Sequence, residues 1–261
     1  MKTIKSRDNN IYKSALKLTK KKYRDETGLY LLEGVKPLED GIATGVRVKT
    51  IFVCEGIRIN DAFPEELCVM LDEHLFKKLS DTGTSQGVIA VAEQRKFPFG
   101  EFASAVCREA GNVIVMDRLQ DPGNIGTIIR TAEAAGYRGI IMISGSGDIY
   151  SPKVVRAAAG TLFRMPVIWA EDAREAADMV KRMNKKLAVT CLEGAVNCFD
   201  ADLTENIALV IGNEGRGVSE KLLGFSDIRV KIPMEGSIES LNAAVAAGIL
   251  MYQSQKKNNA R

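Results

Sequence analysis

Histidine is almost missing from this chain: His74 is the only one among 261 residues. That scarcity leaves one residue on which to build a histidine-ligated metal centre, and no metal partner is expected. The five cysteines, Cys54, Cys68, Cys107, Cys191 and Cys198, are an odd number and contain no Cys-x-x-Cys pair. They read as reduced thiols of a cytoplasmic protein. No apolar run reaches membrane-spanning length, and the lysine-rich start lacks the apolar core of a signal peptide, so no membrane partner is expected. A formal charge of +3 is too small to announce a nucleic-acid binder. No internal repeat or long low-complexity segment is visible. The remaining composition, 46% hydrophobic and 26% charged, is that of an ordinary globular protein with room for one large or two modest domains.

The distribution of charge says more than its sum. Residues 1–24 carry Lys2, Lys5, Arg7, Lys13, Lys17, Lys20, Lys21, Lys22 and Arg24 against one acid, Asp8. Two readings are open: an arm or helix face that tracks phosphates, or a solvated helix with a disordered tip. Leu16 and Leu18 leave little apolar face to bury, which favours the first, with Lys13, Lys17, Lys21 and Arg24 as RNA-binding candidates.

Up to about residue 95, helical and strand signals mix. Helices are expected over Asn9–Lys22, Pro37–Thr44, Asp61–Leu67 and Asp72–Leu79, and strands over Gly28–Glu33, Val48–Cys54, Leu67–Leu71 and Val88–Ala92. Lys96-Phe97-Pro98-Phe99-Gly100 is punctuated like a linker. Beyond it the elements alternate: strands near 113–117, 139–144, 165–169, 186–191, 207–211 and 228–232, helices near 124–135, 152–160, 172–184, 217–223 and 240–254. Such alternation predicts an α/β fold, a mostly parallel sheet with helices on both faces. The expected division is 1–95, a linker at 96–108, a second domain at 109–256 and a polar tail at 257–261. Trp169, at a strand end, reads as core.

Three of the strand ends carry chemistry. Val113-Ile114-Val115-Met116 runs into Asp117-Arg118-Leu119-Gln120-Asp121-Pro122-Gly123-Asn124, then a helix with Arg130. Ile207–Ile211 ends in Gly212-Asn213-Glu214-Gly215-Arg216-Gly217-Val218-Ser219. Ile228–Ile232 ends in Pro233-Met234-Glu235-Gly236-Ser237-Ile238-Glu239-Ser240-Leu241-Asn242, then a helix. Open α/β sheets bind ligands at such carboxyl-end crevices. The first glycine turn lacks the Gly-x-Gly-x-x-Gly spacing of a nicotinamide dehydrogenase. Gly145-Ser146-Gly147-Asp148 lacks the Gly-Lys-Ser/Thr ending of a nucleotide loop.

These three segments resemble the signature motifs of the SpoU/TrmH family of RNA ribose 2′-O-methyltransferases, in the SPOUT superfamily, over residues 109–256. Upstream, Tyr30-Leu31-Leu32-Glu33-Gly34-Val35-Lys36-Pro37-Leu38 looks like the opening of the family's substrate-binding domain. Gly83-Thr84-Ser85-Gln86-Gly87-Val88-Ile89-Ala90 looks like the strand that closes it. Many members have histidine where this chain has Ser85. The resemblance implies a deep trefoil knot in the second domain and, in the first, a small α/β sandwich like the RNA-binding domains of ribosomal proteins. It also implies S-adenosylmethionine as cofactor and a homodimer through the catalytic domain.

Residue by residue, the resemblance makes Arg130 the main catalytic candidate, fixing a phosphate and stabilising the developing alkoxide, since a guanidinium stays protonated near neutral pH. A surface salt bridge to Glu133 is its alternative. Asn124 orients RNA or the motif loops, or caps the helix; both can hold. Glu214 ties the adjacent loop through backbone N–H groups or holds Arg130, or else is a structural carboxylate. Ser240 is expected to cap the last helix and Asn242 to make a polar contact in the site. Leu192, Gly212, Ile232 and Leu241 are the cofactor-binding candidates, with Glu193 bordering them; core packing is the alternative for Ile232 and Leu241. Gly212 would let the backbone approach the bound nucleoside. Lys153 and Arg156 would add phosphate contacts, or belong to a solvated helix face. The implied activity is ribose 2′-O-methylation of structured RNA, 23S ribosomal RNA first. Transfer RNA, a single antibiotic-resistance site, or a non-catalytic assembly role are the alternatives.

Overall fold

The computed structural model describes residues 2–58, 62–238 and 240–255. They fall into two compact units: Met1–Arg95 with Asp148–Arg164, and Lys96–Gly147 with Met165–Arg261. No helix among the described residues is long and apolar enough to cross a membrane.

The first unit holds β1 (Lys2–Ile4), α1 (Asn10–Lys17), α2 (Lys21–Thr27), β2 (Leu29–Glu33), α3 (Val35–Ala43), β3 (Val48–Cys54), β4 (Cys68–Leu71), α4 (Glu73–Leu79) and β5 (Val88–Glu93). The strands form one mixed sheet in the order β1-β4-β3-β5-β2. β3 runs parallel to β4 and antiparallel to β5, through which β2 joins. The β-branched runs of β3 and β5 fill the sheet's centre, where Ile51, Phe52, Val53 and Ala90 are buried. The expected helix over Asp61–Leu67 reduces to a 3-10 turn at Glu65–Leu67, and Asp61 itself lies outside the described residues.

The single helix expected over Asn9–Lys22 is two. Asn9 caps α1 by accepting from the N–H groups of Ile11 and Tyr12, and the chain breaks at Leu18 before α2 begins. The premise that this basic stretch has little apolar face to bury is corrected too. Tyr12, Ala15 and Leu18 join Ile4, Phe52, Leu75, Phe76 and Leu79 in one apolar cluster, and the Tyr12 hydroxyl donates to Leu75 O at 3.2 Å. The aromatic ring supplies the apolar face that the leucines alone did not.

The second unit holds α5 (Phe99–Val106), β6 (Val113–Met116), α6 (Pro122–Ala134) and β7 (Gly139–Ile143). Helix α7 (Pro152–Ala157) belongs to the first unit. The second unit then resumes with β8 (Val167–Ala170), α8 (Ala173–Arg182), β9 (Lys186–Thr190), β10 (Val196–Asn197), β11 (Ile207–Ile211), α9 (Glu220–Gly224), β12 (Ile228–Lys231) and α10 (Ala243–Gln253). Its sheet is parallel throughout, in the order β10-β12-β9-β11-β6-β7-β8. Val113 and Val115 of β6 face a cluster with Phe102 and Val106 of α5, Ala176 and Met179 of α8 and Leu222 of α9. Ile114 and Met116, alternating with them, are equally buried on the other face. There α6 packs against α10. Strands buried on both faces read as continuous apolar runs, as these do.

Three sequence readings change here. Residues 96–108 are mostly helix α5, whose Phe102 and Val106 are fully buried in the second unit, rather than a linker. Residues 148–164 lie within the span assigned to the second domain, yet group with the first unit. Trp169 is 42% exposed, because β8 is an edge strand with one neighbour.

Candidate active site

Strands β12, β9, β11 and β6 are consecutive neighbours, so the loops leaving their carboxyl ends emerge side by side, about 5 Å per strand. Pro122 occupies the first helical position of α6, and Asp121 caps the helix by accepting from Asn124 N–H at 2.8 Å. Asn124 is therefore not the cap, and its side chain is released for other work. It is 8% exposed. Its Nδ2 donates to Glu214 Oε1 at 3.1 Å, and its Oδ1 accepts from Asn242 Nδ2 at 2.9 Å.

Asn242 also caps α10, its Oδ1 accepting from the N–H groups of Ala244 and Val245 at 2.9 and 3.3 Å. This corrects the assignment of Ser240 to that cap. Ser240 lies two residues too early; it is exposed and makes no hydrogen bond among the described residues. One asparagine thus supplies both the cap and the polar contact.

Glu214 accepts from Asp121 N–H at 2.9 Å and Gln120 N–H at 3.1 Å as well as from Asn124. The carboxylate holds the first loop, and does not hold Arg130. Desolvation works against its charged form. The donated hydrogen bonds outweigh it, led by Asp121 N–H, and keep its carboxyl below the usual range. A depressed value means that the contribution is complete above the unfolded-state pKa of about 4.3 and is lost as pH falls through the lower folded value. Glu214→Gln is expected to lower the melting temperature at pH 7. The gap to the wild type should close as melts are repeated from pH 5 towards pH 3; a gap constant with pH would contradict it.

The fold of its own loop leaves no room for a side chain at Gly212. A Cβ there would stand 2.3 Å from both Gly217 C and Val218 N. The chain after β11 folds back on itself: Asn213 and Gly217 form an antiparallel bridge, with N···O distances of 3.0 and 2.9 Å. Asn213 Nδ2 donates to Arg118 O at 2.8 Å, and Ser219 N–H donates to Asp117 Oδ2 at 2.7 Å. These contacts tie the second loop to the end of β6. Asp117, Arg118, Gln120, Asp121 and Asn213 were not singled out from sequence. Only Asp121 had a usable signal there, an acid directly before a helix-opening proline.

The cofactor-side candidates lie at the ends of β9 and β12 and before α10. Leu192 is 64% exposed, Leu241 37%, and Ile232 is half-buried. Apolar side chains held open at adjacent strand ends fit an adenosine, a flat apolar base whose polar edges are met by backbone groups. No group of three or more potential ligand side chains suited to a metal ion occurs among the described residues.

Arg130 is exposed, and its side chain makes no hydrogen bond or ion pair among the described residues. It stands about 9 Å along α6 from Asn124 and faces a different side of the helix. Asn124, Glu214 and Asn242 are thus brought into contact, and Arg130 and Ser240 are not joined to them.

Of the RNA candidates, Lys13 pairs with Asp8 at 2.7 Å, Lys21 with Asp25 at 2.5 Å and Arg156 with Asp81 at 2.5 Å. Lys17 lies over the Tyr23 ring, and Lys153 is exposed. Arg24 is corrected. It is 4% exposed, its Nε donates to Asp148 Oδ2 at 2.8 Å and its Nη1 donates to Leu18 O at 2.6 Å. A guanidinium so enclosed cannot meet a phosphate. Removing one member of a buried pair strands the other, so Arg24→Ala is expected to cost about 3–5 kcal/mol in urea unfolding. An RNA-contact role would leave unfolding unchanged.

The SpoU rRNA Methylase family matches residues 111–252, and the MRM3-like substrate binding domain matches residues 9–90. A curated relative from Bacillus subtilis (strain 168), a 23S rRNA (guanosine(2553)-2′-O)-methyltransferase, is 36% identical over 97% of this chain and 98% of its own. A 23S rRNA (uridine(2479)-2′-O)-methyltransferase from Streptomyces viridochromogenes is 32% identical over 90% of this chain and 85% of its own. The crystal structure of an AdoMet-bound rRNA methyltransferase from Sinorhizobium meliloti superposes with a TM-score of 0.87 at 29% identity, covering 98% of both chains. A knitted set of loops at the carboxyl edge of a parallel sheet, carrying these motifs, defines an RNA methylase of the SpoU class. The chain belongs to the SpoU rRNA methylase family.

Proposed function

We propose that this protein transfers a methyl group from S-adenosylmethionine to a ribose 2′-hydroxyl of structured RNA, with 23S ribosomal RNA as the substrate. The observation that carries this reading is the side-chain relay Glu214–Asn124–Asn242, which joins the loops after β11, β6 and β12 in a chain of this family. The cofactor supplies an activated methyl group on a sulfonium. Leu192, Ile232 and Leu241 would hold its adenosine, and Gly212 keeps the intervening loop closed. Arg130 would grip the phosphate beside the target ribose and stabilise the alkoxide as the 2′ proton departs. Asn124, Glu214 and Asn242 position the loops and need not touch the ribose.

The reading includes a homodimer through the second unit. Helix α10 is apolar all round. Ala244, Ala247, Leu250 and Met251 are buried, while Val245 and Tyr252 are 52% and 54% exposed. A helix of that kind calls for cover on both sides. It also includes a trefoil knot formed by the segment entering α10, supported by β11 lying between β9 and β6 while the chain returns past β9 to reach α6. The first unit would grip RNA like a ribosomal-protein domain, through Lys13, Lys17, Lys21, Lys153 and Arg156, in the cytoplasm.

The test is transfer of labelled methyl from S-adenosylmethionine to unmodified 23S rRNA, followed by mapping of the labelled nucleotide. A single 2′-O-methylated position is expected. Cofactor binding without transfer to 23S rRNA, but with transfer to transfer RNA, would move the substrate. No cofactor binding would end the enzymatic reading.

A further inference from the structure

We propose that Arg118 is a phosphate-gripping residue of the RNA site, preset by the loops around β6, a role that rests on the RNA methyl-transfer reading. Arg118 directly follows β6 and the buried Asp117. Among the five described non-glycine residues with positive φ, it is the one with a charged side chain, at φ 56°. Left-handed backbone disfavours a residue with a Cβ, and an arginine persists there only where its surroundings dictate it.

They do so from both ends. The Arg118 carbonyl accepts from Asn213 Nδ2 at 2.8 Å and from Gln120 Nε2 at 3.2 Å. Its Nε donates to Asp117 Oδ1 at 3.0 Å. Asp117 is 1% exposed and cannot turn away, because its other oxygen accepts from Ser219 N–H and its own N–H donates to Ile211 O. One edge of the guanidinium is therefore fixed. Neither Nη nitrogen has a hydrogen-bond partner among the described residues, and the side chain is 42% exposed. A planar fork with one edge anchored and the other open suits a phosphate oxygen pair.

The position selects RNA over the cofactor's carboxylate. A Cβ built on Gly145 would stand 3.4 Å from Arg118 Cγ, so the stem lies against the loop after β7. β7 borders β6 on the side away from β11, β9 and β12, whose ends carry the cofactor candidates. Neutralising the buried Asp117 would need only the Nε contact. It does not require a left-handed arginine with its open edge in solvent.

The deciding variant is Arg118→Gly, because glycine adopts φ 56° without strain and only the side chain is lost. Affinity for a 23S rRNA fragment is measured from 50 to 300 mM salt, beside methyl-transfer kinetics, cofactor titration and thermal melts. The expected result is an RNA KM raised roughly tenfold and a salt slope smaller by about one phosphate contact. Cofactor affinity is expected within about twofold of wild type, and Arg118→Lys should restore the salt slope but not the full affinity. An unchanged salt slope overturns the proposal, whether the variant then melts early or binds the cofactor weakly. A wild type that binds the rRNA fragment without methylating it fails the methyl-transfer reading and leaves the salt slopes to decide Arg118. A wild type that binds no RNA overturns both.

Discussion

Arg130→Ala is expected to lower kcat for RNA methylation by about 100- to 1,000-fold, the loss typical of a preorganised charge aimed at a developing oxyanion. The structure makes the measurement clean. Arg130 is exposed on α6 and its side chain is bonded to no described residue, so its removal should change stability by no more than about 0.5 kcal/mol. Cofactor affinity should hold as well, since Arg130 lies on α6 after β6, whereas the cofactor candidates Leu192 and Ile232 follow β9 and β12. Arg130→Lys should recover little, because an ammonium lacks the fork that engages a phosphate while facing the alkoxide. Single-turnover methyl transfer at saturating RNA separates chemistry from binding. Activity within threefold of wild type would remove Arg130 from the reaction.

The second large effect is expected from one added methyl group. Gly212→Ala puts a carbon 2.3 Å from the backbone of Gly217 and Val218. Neither atom is the end of a flexible side chain, so the loop must leave its place. With it go the Asn213–Gly217 bridge, the Asn213 contact to Arg118 O and the Ser219 contact to Asp117. Glu214 rides on the same loop, so the relay to Asn124 and Asn242 is disturbed as well. Overpacking of this kind costs about 3 kcal/mol at its upper end. Cofactor affinity is expected to fall by roughly tenfold or more, the equivalent of about 1.4 kcal/mol. Urea unfolding and cofactor titration of the same preparation check both. If stability is retained and only affinity falls, the glycine serves the nucleoside directly and the loop argument is wrong.

The sheet of the second unit was legible because its strands are apolar throughout. Ile207–Ile211 and Val113–Met116 are buried on both faces and leave no polar alternation to mislead. Helix α5 was hidden by Pro98 and Gly100, which read as punctuation, although a proline just before a helix is well tolerated. Strands β1 and β10, of three and two residues, are too short to carry a period. The burial of Arg24 was illegible for another reason. Its partner Asp148 lies 124 residues away, and nothing near either residue announces the pairing. In the site, the motif residues were visible by type, but their division of labour was not. Asp121 and Asn242 each took the capping role expected of a neighbour, because a shift of two or three residues in where a helix begins reassigns every polar side chain there.

The first unit is assembled from two stretches of chain, Met1–Arg95 and Asp148–Arg164. During synthesis, the amino-terminal stretch therefore leaves the ribosome with an unneutralised guanidinium in its interior and waits for its acid. Domains usually close in the order in which they are made. This one can finish only after the opening strands of its successor have been translated. A fragment cut at residue 95 to isolate an RNA-gripping module would keep Arg24 and lose Asp148. The shortest faithful excision is a fusion that carries residues 148–164 along.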